Sequence, residues 1–235
     1  SNMAKTVLIV EDERAIVEIL KFNLKREGYE TLEALDGETG LQLAQTKDPD
    51  LILLDMIMPL LSGMDTAREL RQHDPHVPII FLTSSPEFAL ESYEVRTFWY
   101  LLKPLDEVRF HAVLDSWYEV HKASMAHFAA RTDSGYQAIY FQDVEYLEAQ
   151  NKNVLVTLKD GSVISIKEPF HQCETIFTVE KGFYKCHRSY IAALSCVEKF
   201  GKTSLFTKSG AQIPISRDNY ANFKDVYFSY MFPQE

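Results

Sequence analysis

The sequence predicts an α/β doubly wound fold with a five-stranded parallel sheet, followed by a small mostly-β domain. Two observations carry this. In residues 1–120, apolar runs of strand length alternate with stretches whose apolar residues recur at helical spacing. That alternation predicts a parallel sheet covered on both faces. Beyond residue 135, short β-type segments joined by Gly-containing turns replace it. The expected domains are 3–122 and 136–235, with 123–135 as linker. A chain of 235 residues suits two domains.

Thr6 to Val10 (TVLIV) reads as a strand buried on both faces and runs into Glu11, Asp12 and Glu13. Ile16, Ile19, Leu20 and Leu24 then follow at helical spacing, with Gly28 as a stop. Tyr29 to Leu35 is a short strand and Gly37 to Thr46 a helix. Leu51 to Asp55 (LILLD) is again a fully buried strand, now ending in a lone carboxylate. A helix continues over Ala67 to Gln72 until Pro75 and Pro78 end it. Val77 to Leu82 is the fourth strand, closed by Thr83. Phe88 to Val95 is a short helix, and Phe98 to Leu102 is a strand followed by Lys103-Pro104. Phe110, Leu114, Trp117 and His121 mark a last amphipathic helix.

In such a sheet the strand-end residues Glu11, Asp12, Asp55, Thr83 and Lys103 share the carboxyl edge, where open α/β sheets place their ligands. Taken alone, Asp55 has a plain structural alternative, capping the next helix. Taken together, three carboxylates repel one another, and a divalent cation that favours oxygen ligands, such as Mg²⁺, relieves the repulsion. Lys103 adds a compact positive charge and Thr83 a hydroxyl donor. An acyl phosphate on Asp55 requires this set.

VLIVEDE, LILLDMIMP, FLTS and YLLKP, in this order, resemble the receiver domain of bacterial response regulators over residues 4–121. The resemblance implies a flavodoxin-like fold with Asp55 as phosphoacceptor. It implies Mg²⁺ bound by Glu11, Asp12, Asp55 and the main-chain carbonyl of Ile57. Lys103 becomes the phosphate-binding lysine, and Thr83 and Tyr100 a switch pair. It further implies a sensor histidine kinase as phosphodonor and a homodimer on activation. Glu11-Asp12 stands where the family more often has Asp-Asp. Residues 85–104 resemble receivers joined to LytTR output domains, whereas the first sixty residues resemble those joined to winged-helix domains.

Ala123 to Gly135 ends in Thr-Asp-Ser-Gly, a turn cluster suited to a linker. Eight β-type segments follow between Ala138 and Ile215, with Lys159-Asp160-Gly161 and Lys208-Ser209-Gly210 as hairpin-type turns. Helical patches are expected at Phe170 to Phe177 and at Asp218 to Tyr230. DVEYLEAQNKNVLVTLKDG, GFYKCHRSYIAAL and SGAQIPISRDNY resemble a LytTR DNA-binding domain over about residues 136–232. That resemblance implies a compact ten-stranded all-β arrangement presenting loops to duplex DNA. Asn153 with Lys152 would lie in one loop, Arg188 in a second and Arg217 in a third. Arg offers a bidentate fork to guanine and Asn can read adenine. Lys181, Lys185, Lys199 and Lys202 would contact phosphates. His187 and Ser189 read better as structural residues of a turn, Arg217 has a local alternative in pairing with Asp218, and Cys186 reads as a small core residue. The family usually has Asn where this chain has Ala193.

Charge agrees with this division. Residues 1–120 hold 11 Lys+Arg against 22 Asp+Glu, and residues 121–235 hold 13 against 12, within an overall net charge of -10. Residues 181–224 alone are basic, the outline of a polyanion binder, although a solvated lysine face would look the same. The three cysteines, Cys173, Cys186 and Cys196, have no CxxC spacing, which disfavours a disulfide framework or zinc site and fits a reduced cytosol. Ser1-Asn2 precede the first Met and read as a cloning remnant. No signal peptide or membrane span is expected, so the predicted location is cytoplasmic with no membrane partner. The function expected is a response regulator and transcription factor in which phosphorylation of Asp55 controls dimerisation and promoter binding. It is not an enzyme beyond its own phosphotransfer and dephosphorylation. Two alternatives remain at this level. One is an interaction-only regulator whose β domain binds protein or RNA. The other is an aspartyl-phosphate phosphatase, which typically needs a second Asp where this chain has Ile57.

Overall fold

The computed structural model describes residues 5–122 and 125–234. The chain forms two compact units, Ser1–Met125 and Ala126–Glu235. The start of the expected linker, Ala123 and Ser124, lies outside the described residues, as do Ser1 to Ala4 and Glu235.

The first unit is a parallel sheet of β1 (Thr6–Val10), β2 (Glu30–Ala34), β3 (Leu51–Asp55), β4 (Ile79–Thr83) and β5 (Trp99–Leu102), in the order β2-β1-β3-β4-β5. Alternate residues of the central strands feed two separate cores. Leu8, Val10, Ile52, Leu54, Ile79 and Phe81 pack with Leu41 of α2 (Gly37–Lys47) and with Ala67 and Leu70 of α3 (Gly63–His73). Val7, Ile9, Leu51, Leu53, Ile80 and Leu82 pack with Val17, Leu20 and Leu24 of α1 (Arg14–Arg26) and with Phe110, Leu114 and Trp117 of α5 (Glu107–His121). Burial on both faces explains the unbroken apolar runs. The segment expected as one helix over Phe88 to Val95 is instead a single α-turn, α4 (Ala89–Ser92), between 3₁₀ turns at Pro86–Phe88 and Tyr93–Val95. The cause is local: Leu90 and Tyr93 face solvent, so little burial holds a longer α-helix together.

The second unit holds ten strands among the described residues, in sheets of five (β10-β9-β8-β12-β11), three (β13-β14-β15) and two (β6-β7). They are β6 (His127–Thr132), β7 (Gly135–Tyr140), β8 (Val144–Gln150), β9 (Asn153–Leu158), β10 (Val163–Ile166), β11 (Phe183–His187), β12 (Tyr190–Ala193), β13 (Val197–Phe200), β14 (Ser204–Thr207) and β15 (Gln212–Pro214). Two helices join them, α6 (Phe170–Ile176) and α7 (Tyr220–Met231). Most of the stretch read as linker, 123–135, is therefore strand. β6 pairs with β7, Ala130 is fully buried, and buried Glu168 accepts hydrogen bonds from the backbone N–H and Nε of Arg131. One core centres on Phe141, Phe177 and Phe183, and another on Leu205, Ile213 and Phe223 of α7.

Candidate functional site: an acidic cluster and a loop-bearing sheet end

The strand ends converge as the topology requires. Glu11 is fully buried, Asp55 is 3% exposed and Asp12 is exposed, and each offers a carboxylate oxygen within 4.8 Å of the others. Lys103, at the end of β5, places Nζ 2.9 Å from Glu11 Oε2 and 3.2 Å from Asp55 Oδ1, with Glu13 Oε1 at 4.0 Å. Its peptide bond to Pro104 is cis. Asp55 does not cap the following helix. That task falls to Ser62, whose Oγ accepts from the backbone N–H of Asp65 at 3.1 Å. Asp55 Oδ1 instead accepts from the Ile57 N–H at 3.3 Å.

Burial, and then the charge of Glu11, push the Asp55 carboxyl up to about 7. Burial likewise raises Glu11, against the pull of Lys103. Burial alone would lower Lys103, but its bonds to the two carboxylates outweigh this and hold it above its ordinary value. Carboxylates gathered at this cost suit a hard divalent cation. Three oxygen donors, one of them exposed, leave room for the waters that Mg²⁺ retains. A trough lined by Asp55, Lys103, Ser84, Ile57, Glu13 and Ile16 opens beside the cluster, with a volume of about 650 Å³.

Thr83 is buried, and its hydroxyl donates to the carbonyl of Ser85 at 3.0 Å while accepting the Ser85 N–H at 3.1 Å. Tyr100 is half-buried against the first core and stacks on Trp99 with centroids 6.1 Å apart. Sequence reasoning registered Gly63 only as a turn residue, but it shapes the site. A Cβ there would lie 2.1 Å from the carbonyl oxygen of Asp55. The Gly63 N–H donates to the Met56 carbonyl at 2.9 Å, closing the loop that carries the acid.

In the second unit the five-stranded sheet gathers the expected contact loops at one end. Asn151 and Lys152 form the two-residue turn between β8 and β9, with Asn151 at φ +54° and Asn153 opening β9. Arg188 and Ser189 form the turn between β11 and β12. β12 lies beside β8 with Tyr190 opposite Glu148, and the Ala149 N–H donates to the Ser189 carbonyl at 2.9 Å, so both turns share an edge. The Ser216 N–H donates to the Cys186 carbonyl at 2.9 Å, bringing the neighbouring Arg217 to the same end. The Ile215 N–H donates to Thr203, which draws the turn carrying Lys202 close as well. Lys152, Arg188, Lys202 and Arg217 are exposed, and among the described residues Arg217 has no ion pair with Asp218.

Lys185 departs from expectation. It is ion-paired with Glu174 and lies over the Phe170 ring at 5.7 Å, so its charge is already engaged. Lys181 and Lys199 similarly sit over the rings of Phe141 and Phe206, at 4.5 and 5.0 Å. His187 is structural, its Nδ1 accepting the Ser189 N–H at 3.1 Å. Burial pushes the Cys173 and Cys186 thiols up to about 12, which keeps them protonated and unreactive.

The family described as response regulator receiver domain matches residues 7–115, and that described as LytTr DNA-binding domain matches residues 134–227. The positive alginate biosynthesis regulatory protein of Pseudomonas aeruginosa is 30% identical over 217 residues, covering 85% of this chain and 86% of that protein. The chain belongs to the LytTR-type response regulators. It is a two-component regulator that acts as a DNA-binding transcription factor, and its receiver implies a kinase as phosphodonor. The sensory transduction protein LytT of Oceanobacillus iheyensis is 28% identical over 228 residues, covering 90% of this chain and 92% of that protein. The alkaline phosphatase synthesis regulator PhoP of Bacillus subtilis is 45% identical over 85 residues, about a third of either chain (36% and 35%). Among solved structures, the chemotaxis protein CheY4 of Vibrio cholerae is similar with a TM-score of 0.45 and 29% identity, covering 48% of this chain and 98% of that one. No helix among the described residues of this response regulator is long and apolar enough to cross a membrane.

Proposed function

We propose that Asp55 accepts a phosphoryl group from a sensor histidine kinase, and that the acyl phosphate controls dimerisation and sequence-specific promoter binding. The observation that carries this reading is the convergence of Glu11, Asp12, Asp55 and Lys103. An Asp55 oxygen attacks phosphorus as the bond to the histidine nitrogen breaks. Lys103, already 3.2 Å from Oδ1, neutralises charge on the transferred group. Glu11, Asp12, Asp55 and the Ile57 carbonyl would hold Mg²⁺, which supplies charge neutralisation at the phosphoryl oxygens when bound. The Thr83 hydroxyl exchanges its bond to Ser85 for one to the phosphate, and Tyr100 turns inward behind it. In the output unit Asn153, Arg188 and Arg217 read base edges, while Lys152 and Lys202 set the register on phosphates.

The test has two parts. A small phosphodonor with Mg²⁺ should modify the wild type and leave Asp55→Asn unmodified, and modification of the mutant would overturn the site. In salt-titrated gel shifts, Arg188→Ala and Arg217→Ala should each lose about 1–3 kcal/mol of specific binding. Lys202→Ala should weaken all sequences alike, and Lys185→Ala should change little because Glu174 holds it. Unchanged binding by both arginine variants would refute the contact assignment.

A further inference from the structure

The segment between Thr83 and Tyr100 is pinned firmly at one end. Arg71, on α3, donates from Nε to the Val95 carbonyl at 2.7 Å and from Nη2 to the Arg96 carbonyl at 3.1 Å. Its Nη1 donates to the carbonyls of Val77 at 2.7 Å and Asp74 at 3.2 Å. One guanidinium thus ties the far end of the segment to the strand entry before β4 and to the end of α3. Arg68, one turn earlier, holds Glu94 through Nη2 at 2.9 Å and Nε at 3.3 Å. The Thr97 hydroxyl lies 2.8 Å from the Ile79 carbonyl it donates to. Buried Val95 and the left-handed Arg96, at φ +54°, complete a fixed corner.

The other end differs. Beyond the local exchange between Thr83 and Ser85, the described residues of 84–91 make no side-chain hydrogen bond or ion pair to another element. Leu90 is 79% exposed. Charge-assisted bonds from a planar fork to four carbonyls are the stronger and more directional kind. Regions with few such ties open at lower free energy.

We propose that Arg71 is the pivot clamp of the phosphorylation switch. It fixes residues 95–97, so that a change at Asp55 swings residues 84–91 about that corner and displaces the exposed surface around Leu90. The inference rests on Asp55 being the phosphoacceptor. The geometry gives a reason for the asymmetry. Thr83 and Tyr100 sit on adjacent strands, and everything between them is the passage from one to the other. A passage free at both ends would dissipate a displacement that starts at Thr83, whereas one fixed end turns it into a rotation. Arg71 is a positioning residue that acts through the backbone carbonyls of Asp74, Val77, Val95 and Arg96.

Amide hydrogen exchange of the full chain, with and without beryllofluoride and Mg²⁺, tests this. In the wild type, exchange across 84–91 should change by about tenfold or more, while 95–98 stays as it was. Equal changes in both stretches would overturn the pivot. No change anywhere in the receiver would overturn the reading of Asp55, and the pivot with it. Arg71→Lys keeps the charge and loses the fork. It should let the change spread into 95–98 and cut the phosphodonor-dependent gain in DNA affinity by about fivefold or more, with the rate of modification of Asp55 unchanged. Wild-type exchange and coupling in that variant would overturn the clamp. If Arg71→Lys does not fold, the wild-type comparison still decides where the pivot lies.

Discussion

Asp55 sits where its own charge is disfavoured. The ordinary Asp carboxyl titrates near 3.8, and burial with the Glu11 charge raises Asp55 to about 7. The folded chain therefore keeps a proton that the unfolded chain has lost between these two values. Folding stability from this residue falls as pH rises through that window and is flat above it. Asp55→Asn, a neutral isostere, should be more stable than the wild type at pH 8 by about 1–2 kcal/mol in the absence of divalent cations. The advantage should vanish near pH 4. Denaturant titrations at the two pH values check this, and a mutant that is less stable at pH 8 would mean that Lys103 outweighs Glu11. Mg²⁺ should stabilise the wild type more at pH 8 than at pH 5, because protons and the cation compete for the same oxygens.

At the scale of elements, a glycine sets the loop that follows Asp55. A Cβ at Gly63 would meet the Asp55 carbonyl at 2.1 Å and the Met56 Cα at 2.7 Å, both backbone. Gly63→Ala should therefore cost about 1–3 kcal/mol of stability and lower phosphodonor modification together, as thermal melts and labelling would read. An unperturbed variant would mean that α3 can back away from β3. The sequence showed Gly63 as part of a Ser-Gly turn, because close approach between an element and the loop before it leaves no local pattern. What was legible followed from burial on both faces. LILLD and TVLIV could be little else than central strands, and their ends put Glu11, Asp12, Asp55 and Lys103 together. What was missed was short, small or non-local. β6 (HFAART) was read as linker, since its single fully buried residue, Ala130, makes no apolar run. β12 (YIAA) gives little signal for a different reason: Ile191, Ala192 and Ala193 are all buried, but the strand is only four residues long and two of its buried residues are alanines, yet it lies between β8 and β11 and joins the two turns proposed to meet DNA. Lys185 looked like its neighbours in the basic run; only the fold brings Glu174 beside it.

At the scale of the whole molecule, the acidic first half and the basic stretch in the second pull in opposite directions on a polyanion. Eleven cations against 22 anions in residues 1–120 repel DNA through a field that salt screens beyond about 10 Å. A fragment beginning at residue 126, whose two cores are complete within it, should bind non-specific duplex more tightly than the full chain at low salt. The two should converge as salt rises. Fluorescence anisotropy over a salt series checks this, and a gap that persists at high salt would point to steric obstruction instead.

The Lys152 and Arg188 turns are bridged by the bond between Ala149 and Ser189 and capped on adjacent strand pairs of one sheet. Two strand spacings separate their midpoints, about 10 Å, which is close to the rise of three base pairs. A sheet cannot stretch along its hydrogen-bonded direction as a helix pair can slide. On the proposed assignment of these turns to DNA, the output unit carries a fixed ruler, and a promoter that gains one base pair between the two proposed contact positions should lose one contact outright.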